Sequence, residues 1–241
     1  MGETGTDVAR EAADMILTND DFSTIAFAVQ SGRRMYDNLR KGVRYYLAVK
    51  LGLMSIFLLP VLLGIPLPFA PIQIIVLELF MDLGASAAFV AEPGEKDLMT
   101  QPPRNPNQRF MDRPMLRTIV LGAISLFLAV STVYLVTNFT TGNTLVAQSS
   151  AFAAWMFGHI FLAFNMRSDR QPLSSFGLFS NRPMDVWAIG AIGFLIIAIA
   201  TPFLHPALKL TYLNAGQWLF AVAIAFVFTF WVETRKVAEK G

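Results

Sequence analysis

Two carboxylates, Glu78 and Asp82, stand inside the apolar run QIIVLELFMDLGASAAFV, residues 73–90. They are four residues apart, so on a helix they share one face. An ionised side chain at mid-bilayer costs about 2.5–3.5 kcal/mol on insertion scales, so two of them require a polar interior. Lys50 lies inside the preceding apolar run, and His159 lies within WMFGHIFLAFN. Carboxylate oxygens suit hard cations and protons. The expected chemistry is a cation-binding site of Glu78, Asp82 and Lys50, with His159 a further candidate and the identity of any metal open. The competing reading is a buried ion pair that only joins helices. Intramembrane ionisable groups usually mark ion pathways, which favours the site.

The neighbouring residue types leave pairs of readings open. Lys50 is either a tethered ammonium beside the carboxylates or a neutral amine. His159 is either a proton relay or a satisfied hydrogen-bonding group between helices. Gly84, Ala85, Ser86 and Ala87 permit either close helix approach or local unwinding, and unwound backbone offers carbonyl oxygens to a cation. Gln73 and Asn165 lie nearer the ends of their runs and are expected at the membrane interface.

The elements that must position these groups are legible in composition. Of the 241 residues, 54% are hydrophobic and only 15% charged, and mean hydropathy is +0.51. Soluble domains carry about 25% charged residues, and here the charges cluster between long apolar runs. Six runs approach the ~20 residues a bilayer crossing needs, at about 43–63, 70–91, 117–137, 150–166, 186–204 and 215–232. The fold class expected is all-α: a polytopic membrane protein of six transmembrane helices with a short N-terminal cytoplasmic segment and a stalk helix. Its divisions are residues 1–20, a stalk over 21–44 capped by Asp21 or Ser23, and a membrane domain over 45–241. No strong helix breaker lies between Gly42 and Pro60, so stalk and first span should be continuous. There is no cysteine, which excludes disulfides and thiolate chemistry, and a formal net charge of +2 gives no reason to expect nucleic acid as a partner.

The positive charges alternate with the spans. Arg33, Arg34, Arg40, Lys41 and Arg44 precede the first span. Lys96, Arg104, Arg109, Arg113 and Arg117 fall in the second connection, Arg167, Arg170 and Arg182 in the fourth, and Arg235, Lys236 and Lys240 after the last. Lys209 stands alone on the other side. By the positive-inside rule both termini are cytoplasmic, in a multi-pass protein expected in the plasma membrane.

The N-terminal run MGETGTDVAREAADMILTNDDFSTI, followed by GRRMYDNLRKGVRYYLAVK, resembles the end of the phosphorylation domain and the stalk of a P-type cation-transporting ATPase of the calcium- and sodium/potassium-pump type. PIQIIVLELFMDLGASAAFVAEPGEKDLMTQPPR is similar to that family's sixth span and the loop after it. The resemblance is strong to about residue 115 and then rests on four further spans at the expected spacing. It implies that residues 1–20 are the last part of the phosphorylation domain and that the six helices are spans five to ten. It also implies that the chain is the C-terminal membrane half of an ATP-driven cation pump, its partners being the transported cation, the lipid bilayer and the pump's missing N-terminal portion. Asp82 would match the family's ion-ligating aspartate, and Glu78 the asparagine or acid one turn before it.

The departures from the family pattern concern the ion. Met81 stands where calcium pumps usually have threonine, Leu53 where they have the fifth-span glutamate, Lys50 at the neighbouring asparagine, and His159 near the eighth-span glutamate. A membrane lysine beside sixth-span acids is similar to the proton-exporting members. The transported ion implied is a proton or another cation, with calcium as an alternative. The chain contains no DKTGT, TGES or GDGxND sequence. No cofactor is therefore expected within it: ATP and Mg²⁺ belong to a full-length parent, and with them the enzymatic activity. The chain is expected to be a fragment or a truncated gene product. The contrasting expectation is a stand-alone six-span protein that binds or regulates a partner without transport chemistry.

Overall fold

The computed structural model describes residues 2–95, 97–104, 109–168 and 171–238. Among them are six helices long and apolar enough to cross a membrane, and no strand. We label these α1 (Ser23–Leu63), α2 (Pro71–Val90), α3 (Arg113–Thr141), α4 (Thr144–Asn165), α5 (Arg182–Ala200) and α6 (Ala215–Ala238). The chain is an all-α, multi-pass membrane domain.

Local chemistry sets the ends of these helices. Asp21 holds the entry to α1, accepting from the Ser23 amide at 2.8 Å and the Ser23 hydroxyl at 2.6 Å. From there α1 runs unbroken for 41 residues, so stalk and first span are one helix, as the lack of breakers suggests. Asp112 caps α3 through the Met115 amide at 2.9 Å, and Asn143 caps α4 through the Leu145 amide at 3.0 Å. Asn181 caps α5 through the Met184 amide at 3.1 Å, with Pro183 in the first turn.

Two boundaries differ from the sequence expectation. The polar stretch TNFTTGNTLVAQSS reads as a loop, yet only Gly142 and Asn143 separate α3 from α4. Gly142 adopts a left-handed φ of 63°, which closes α3 in one residue. The fifth span lies about four residues earlier than its hydropathy suggests. It starts at the Asn181 cap and stops at Ala200, ahead of Pro202, whose ring cannot continue the helix.

Helix α4 is the centre of the bundle. Buried residues make up 72% of its apolar window, against 28% in α5 and 17% in α6. It packs on α3 and α6, while α1 packs along α3 and α5 leans on α2 and α4. Small residues make this approach close: Ala147, Ala151, Ala153 and Ala154 are fully buried on α4.

Charge is segregated to one end. There Arg40 pairs with Asp112 at 2.8 Å, Lys41 with Glu95 at 3.1 Å, and Arg33 donates to the carbonyls of Leu98 and Gln101. At the other end the ties are neutral. Tyr134 donates to the Pro66 carbonyl at 2.6 Å, and Gln148 to the Leu67 carbonyl at 2.8 Å. The charges assigned to Lys96, Arg170 and Lys240, and the side chain of Arg235, lie outside the described residues.

Candidate cation site

Helix α2 does not keep α-helical spacing through the site. Residues Leu77–Asp82 form a π-helical turn between two α-helical pieces, Pro71–Val76 and Leu83–Val90. Such wide turns are rare and recur at functional sites. Glu78 stands near the start of this turn and Asp82 at its end. The sequence leaves open close helix approach or unwinding at Gly84–Ala87; the structure keeps these residues α-helical and puts the irregular turn just ahead of them, ending at Asp82.

All four candidate side chains meet here. Lys50 of α1 reaches across to α2, where its Nζ lies 2.6 Å from Asp82 Oδ2 and also donates to Glu78 Oε2. His159 of α4 places Nε2 at 3.3 Å from Asp82 Oδ1. The burial is graded: the side chains of His159 and Asp82 are 0% and 3% exposed, Lys50 22% and Glu78 39%. The site is closed on the α4 side and open at Glu78.

Two buried aromatic rings wall the closed side: Trp155 meets His159 edge-on with centroids 4.9 Å apart, and Tyr45 lies 6.0 Å from the same ring. On the open side Lys50 sits 4.9 Å over the exposed Tyr46 ring. Sequence reasoning missed these three aromatics, because a ring in an apolar run reads as core. Met81 is fully buried and Leu53 nearly so, so apolar side chains line the positions where the family pattern has polar ligands.

The hydrogen bonding is incomplete. The His159–Asp82 contact is close but lacks hydrogen-bond alignment, and Asp82 Oδ1, His159 Nδ1, His159 Nε2 and Tyr45 Oη have no hydrogen-bond partner. Neither ring nitrogen of His159 makes a hydrogen bond to another protein group, although Nε2 lies 3.3 Å from Asp82 Oδ1. Among the described residues, no three of the His, Asp and Glu side chains converge closely enough to hold a metal ion by themselves.

Gln73 and Asn165 lie near helix ends as expected of interfacial groups, but both are buried ties. Gln73 donates to the Leu208 and Lys209 carbonyls at 3.1 and 2.8 Å. Asn165 donates to the Thr229 carbonyl at 2.7 Å.

A family model described as "Cation transporting ATPase, C-terminus" matches residues 66–238. The chain belongs to the cation-transporting ATPases. It is 32% identical to a calcium-transporting ATPase of Bacillus subtilis (strain 168) over 95% of its own length and 26% of that protein's. It is 28% identical to the human calcium-transporting ATPase type 2C member 1 over all of its own length and 26% of that protein's. A probable cation-transporting ATPase F of Mycobacterium bovis is 32% identical over 97% of this chain and 26% of that protein. The chain thus spans about a quarter of the length of these cation-transporting ATPases.

Proposed function

We propose that the chain provides the C-terminal transmembrane half of an ATP-driven cation pump, in which Lys50, Glu78 and Asp82 line the transport site and His159 backs it. The observation that carries the reading is one ammonium shared by two carboxylates on an irregular helical turn inside a membrane bundle. One ammonium against two carboxylates leaves a single negative charge, which suits a proton or one monovalent cation. Relatives named as calcium-transporting argue for calcium, which would require Lys50 to leave the carboxylates.

Residues 21–44, the cytoplasmic end of α1 and its cap, act as the stalk that couples the site to a phosphorylation domain, of which residues 1–20 are the last part. ATP and Mg²⁺ would be held by residues outside this chain, which carries none of the nucleotide or phosphorylation motifs. The one-sided charge supports cytoplasmic termini; the membrane proposed is the plasma membrane. Cysteines placed at Asn143 and Ser175 test the orientation: the first should label from outside and the second should not.

The deciding experiment is ATP-dependent flux, ion by ion, in vesicles carrying the full-length parent. Proton or monovalent transport that is lost in Asp82→Asn is expected. Two calcium ions moved per cycle with Lys50 in place would overturn the charge reading.

A further inference from the structure

The two carboxylates owe their relative placement to the wide turn Leu77–Asp82, and something must keep that turn wide. Lys50 and His159 hold its Asp82 end from α1 and α4. Phe80 lies two residues from each carboxylate, roughly half a helical turn around the axis from both. Its backbone carbonyl accepts a hydrogen bond from Trp187 Nε1 of α5 at 3.1 Å. Its ring stacks on Phe194, also of α5, with centroids 6.1 Å apart and planes 14° from parallel.

The indole reaches that carbonyl because of the residue two positions after Asp82. A Cβ on Gly84 would come within 2.4 Å of Trp187 Cδ1 and 2.8 Å of its Nε1. No side chain tolerates such a contact, so the indole occupies a seat that only glycine leaves open. In hydrocarbon, a backbone carbonyl outside the regular ladder has no water to turn to, which makes a lateral donor matter more than it would in water. The hydrogen bond of Trp187 goes to the backbone of the turn and not to a side chain of the site.

We propose that Trp187 is a positioning residue of the cation site. Its indole N–H, seated on Gly84, holds the π-helical turn in the register that lets Glu78 and Asp82 share one ammonium. Tightening the turn to α-helical spacing would rotate Asp82 about the helix axis relative to Glu78 and draw it off Lys50 or His159. The inference rests on the cation-site reading above and adds α5, which contributes no ligand, to the parts that set ion affinity.

The test compares two variants that break the contact from opposite sides. Trp187→Phe keeps an aromatic ring and removes the donor; Gly84→Ala keeps the donor and fills its seat. In the full-length parent, each should raise the ion concentration for half-maximal ATPase activation about fivefold, the worth of one hydrogen bond of about 1 kcal/mol. The rate at saturating ion should stay within about twofold. The double variant should be no worse than either single one, because both act through one contact.

A second readout needs no pump. Hydrogen–deuterium exchange on this whole chain in lipid nanodiscs should show faster exchange over residues 80–86 in both variants, with α3 unchanged. Asp82→Asn serves as the control. If it leaves ion activation intact, the site reading fails and the role of Trp187 fails with it. If it abolishes activation while the Trp187 and Gly84 variants leave half-activation or the exchange of residues 80–86 unaltered, Trp187 is a packing residue and the proposal is wrong.

Discussion

Two buried charge clusters lie ten residues apart along the chain, one within α2 and one just past its end, and they are built in opposite ways. At the charged end, Arg167 grips both oxygens of Glu92 at 3.0 and 3.1 Å and donates further to the Leu178 carbonyl at 2.7 Å and the Ser180 hydroxyl. Asn181 completes the set, donating to Glu92 Oε2 at 2.5 Å and to the Ala88 carbonyl at 3.0 Å. The mid-membrane cluster leaves Asp82 Oδ1 and both nitrogens of His159 without hydrogen bonds. Both clusters are fixed by three elements, so the difference is not one of crowding. The first gives each of its charged groups a partner; the second leaves polar atoms unpaired, which fits the ion-exchanging role proposed for it.

That contrast can be broken. The largest effect is expected at Arg167, whose side chain is fully buried. Arg167→Ala strands the Glu92 carboxylate and should cost about 3–5 kcal/mol, read as a loss of thermal stability in detergent. Asp82→Asn should do the reverse, leaving the melting temperature at or above that of the parent chain while abolishing ion-dependent ATPase activity in the full-length protein. Equal destabilisation by the two changes would erase the distinction.

Lys50→Ala sharpens the comparison inside the site. It should expose both carboxylates and raise affinity for a divalent ion, or change the charge moved per cycle. Combined with Asp82→Asn it should depart from additivity, because the two residues share one contact. Simple addition would make Lys50 a packing residue.

The smallest effect belongs to the outer rim of the charged end. Asp112→Ala removes the α3 cap and should cost about 1 kcal/mol. Partial burial would raise the Asp112 pKa, but the Met115 amide and the Arg40 guanidinium outweigh it and hold the carboxyl below its ordinary value. A lowered folded-state pKa stabilises above the ordinary carboxylate value and stops doing so as the pH falls through the folded one. Parent and variant should therefore converge in stability in acid and separate at neutral pH.

The parts of the site legible in the sequence were the ones whose residue types are costly in a membrane. Lys50, Glu78, Asp82 and His159 announce themselves against apolar neighbours, and the structure brings all four together. Trp187 and Trp155 announce nothing, since an aromatic ring in an apolar run is ordinary core until its N–H is located. The Glu92–Arg167–Asn181 set was hidden for another reason: Glu92 follows α2 while Arg167 and Asn181 stand at the two ends of the α4–α5 connection, and no sequence spacing links them. Hydropathy misplaced the α3–α4 junction because its hydroxyls bond within their own helices. Thr140 and Thr141 donate to the carbonyls of Val136 and Thr137 at 2.7 and 2.6 Å, so polar residues there extend α3 instead of ending it.

The unbroken length of α1 has a mechanical consequence. Lys50 lies 27 residues from the Ser23 end, about 40 Å along the axis at 1.5 Å per residue. Asn38, which donates to the Glu92 carbonyl at 2.7 Å, restrains that arm between its ends. Lys50 lies 12 residues beyond it, about 18 Å, so a tilt of about 10° about Asn38 would sweep the Lys50 backbone sideways by about 3 Å. That is comparable to the 2.6 Å separating its ammonium from Asp82, so a stiff arm of this kind would turn a modest angular input at the Ser23 end into the making or breaking of one ion pair.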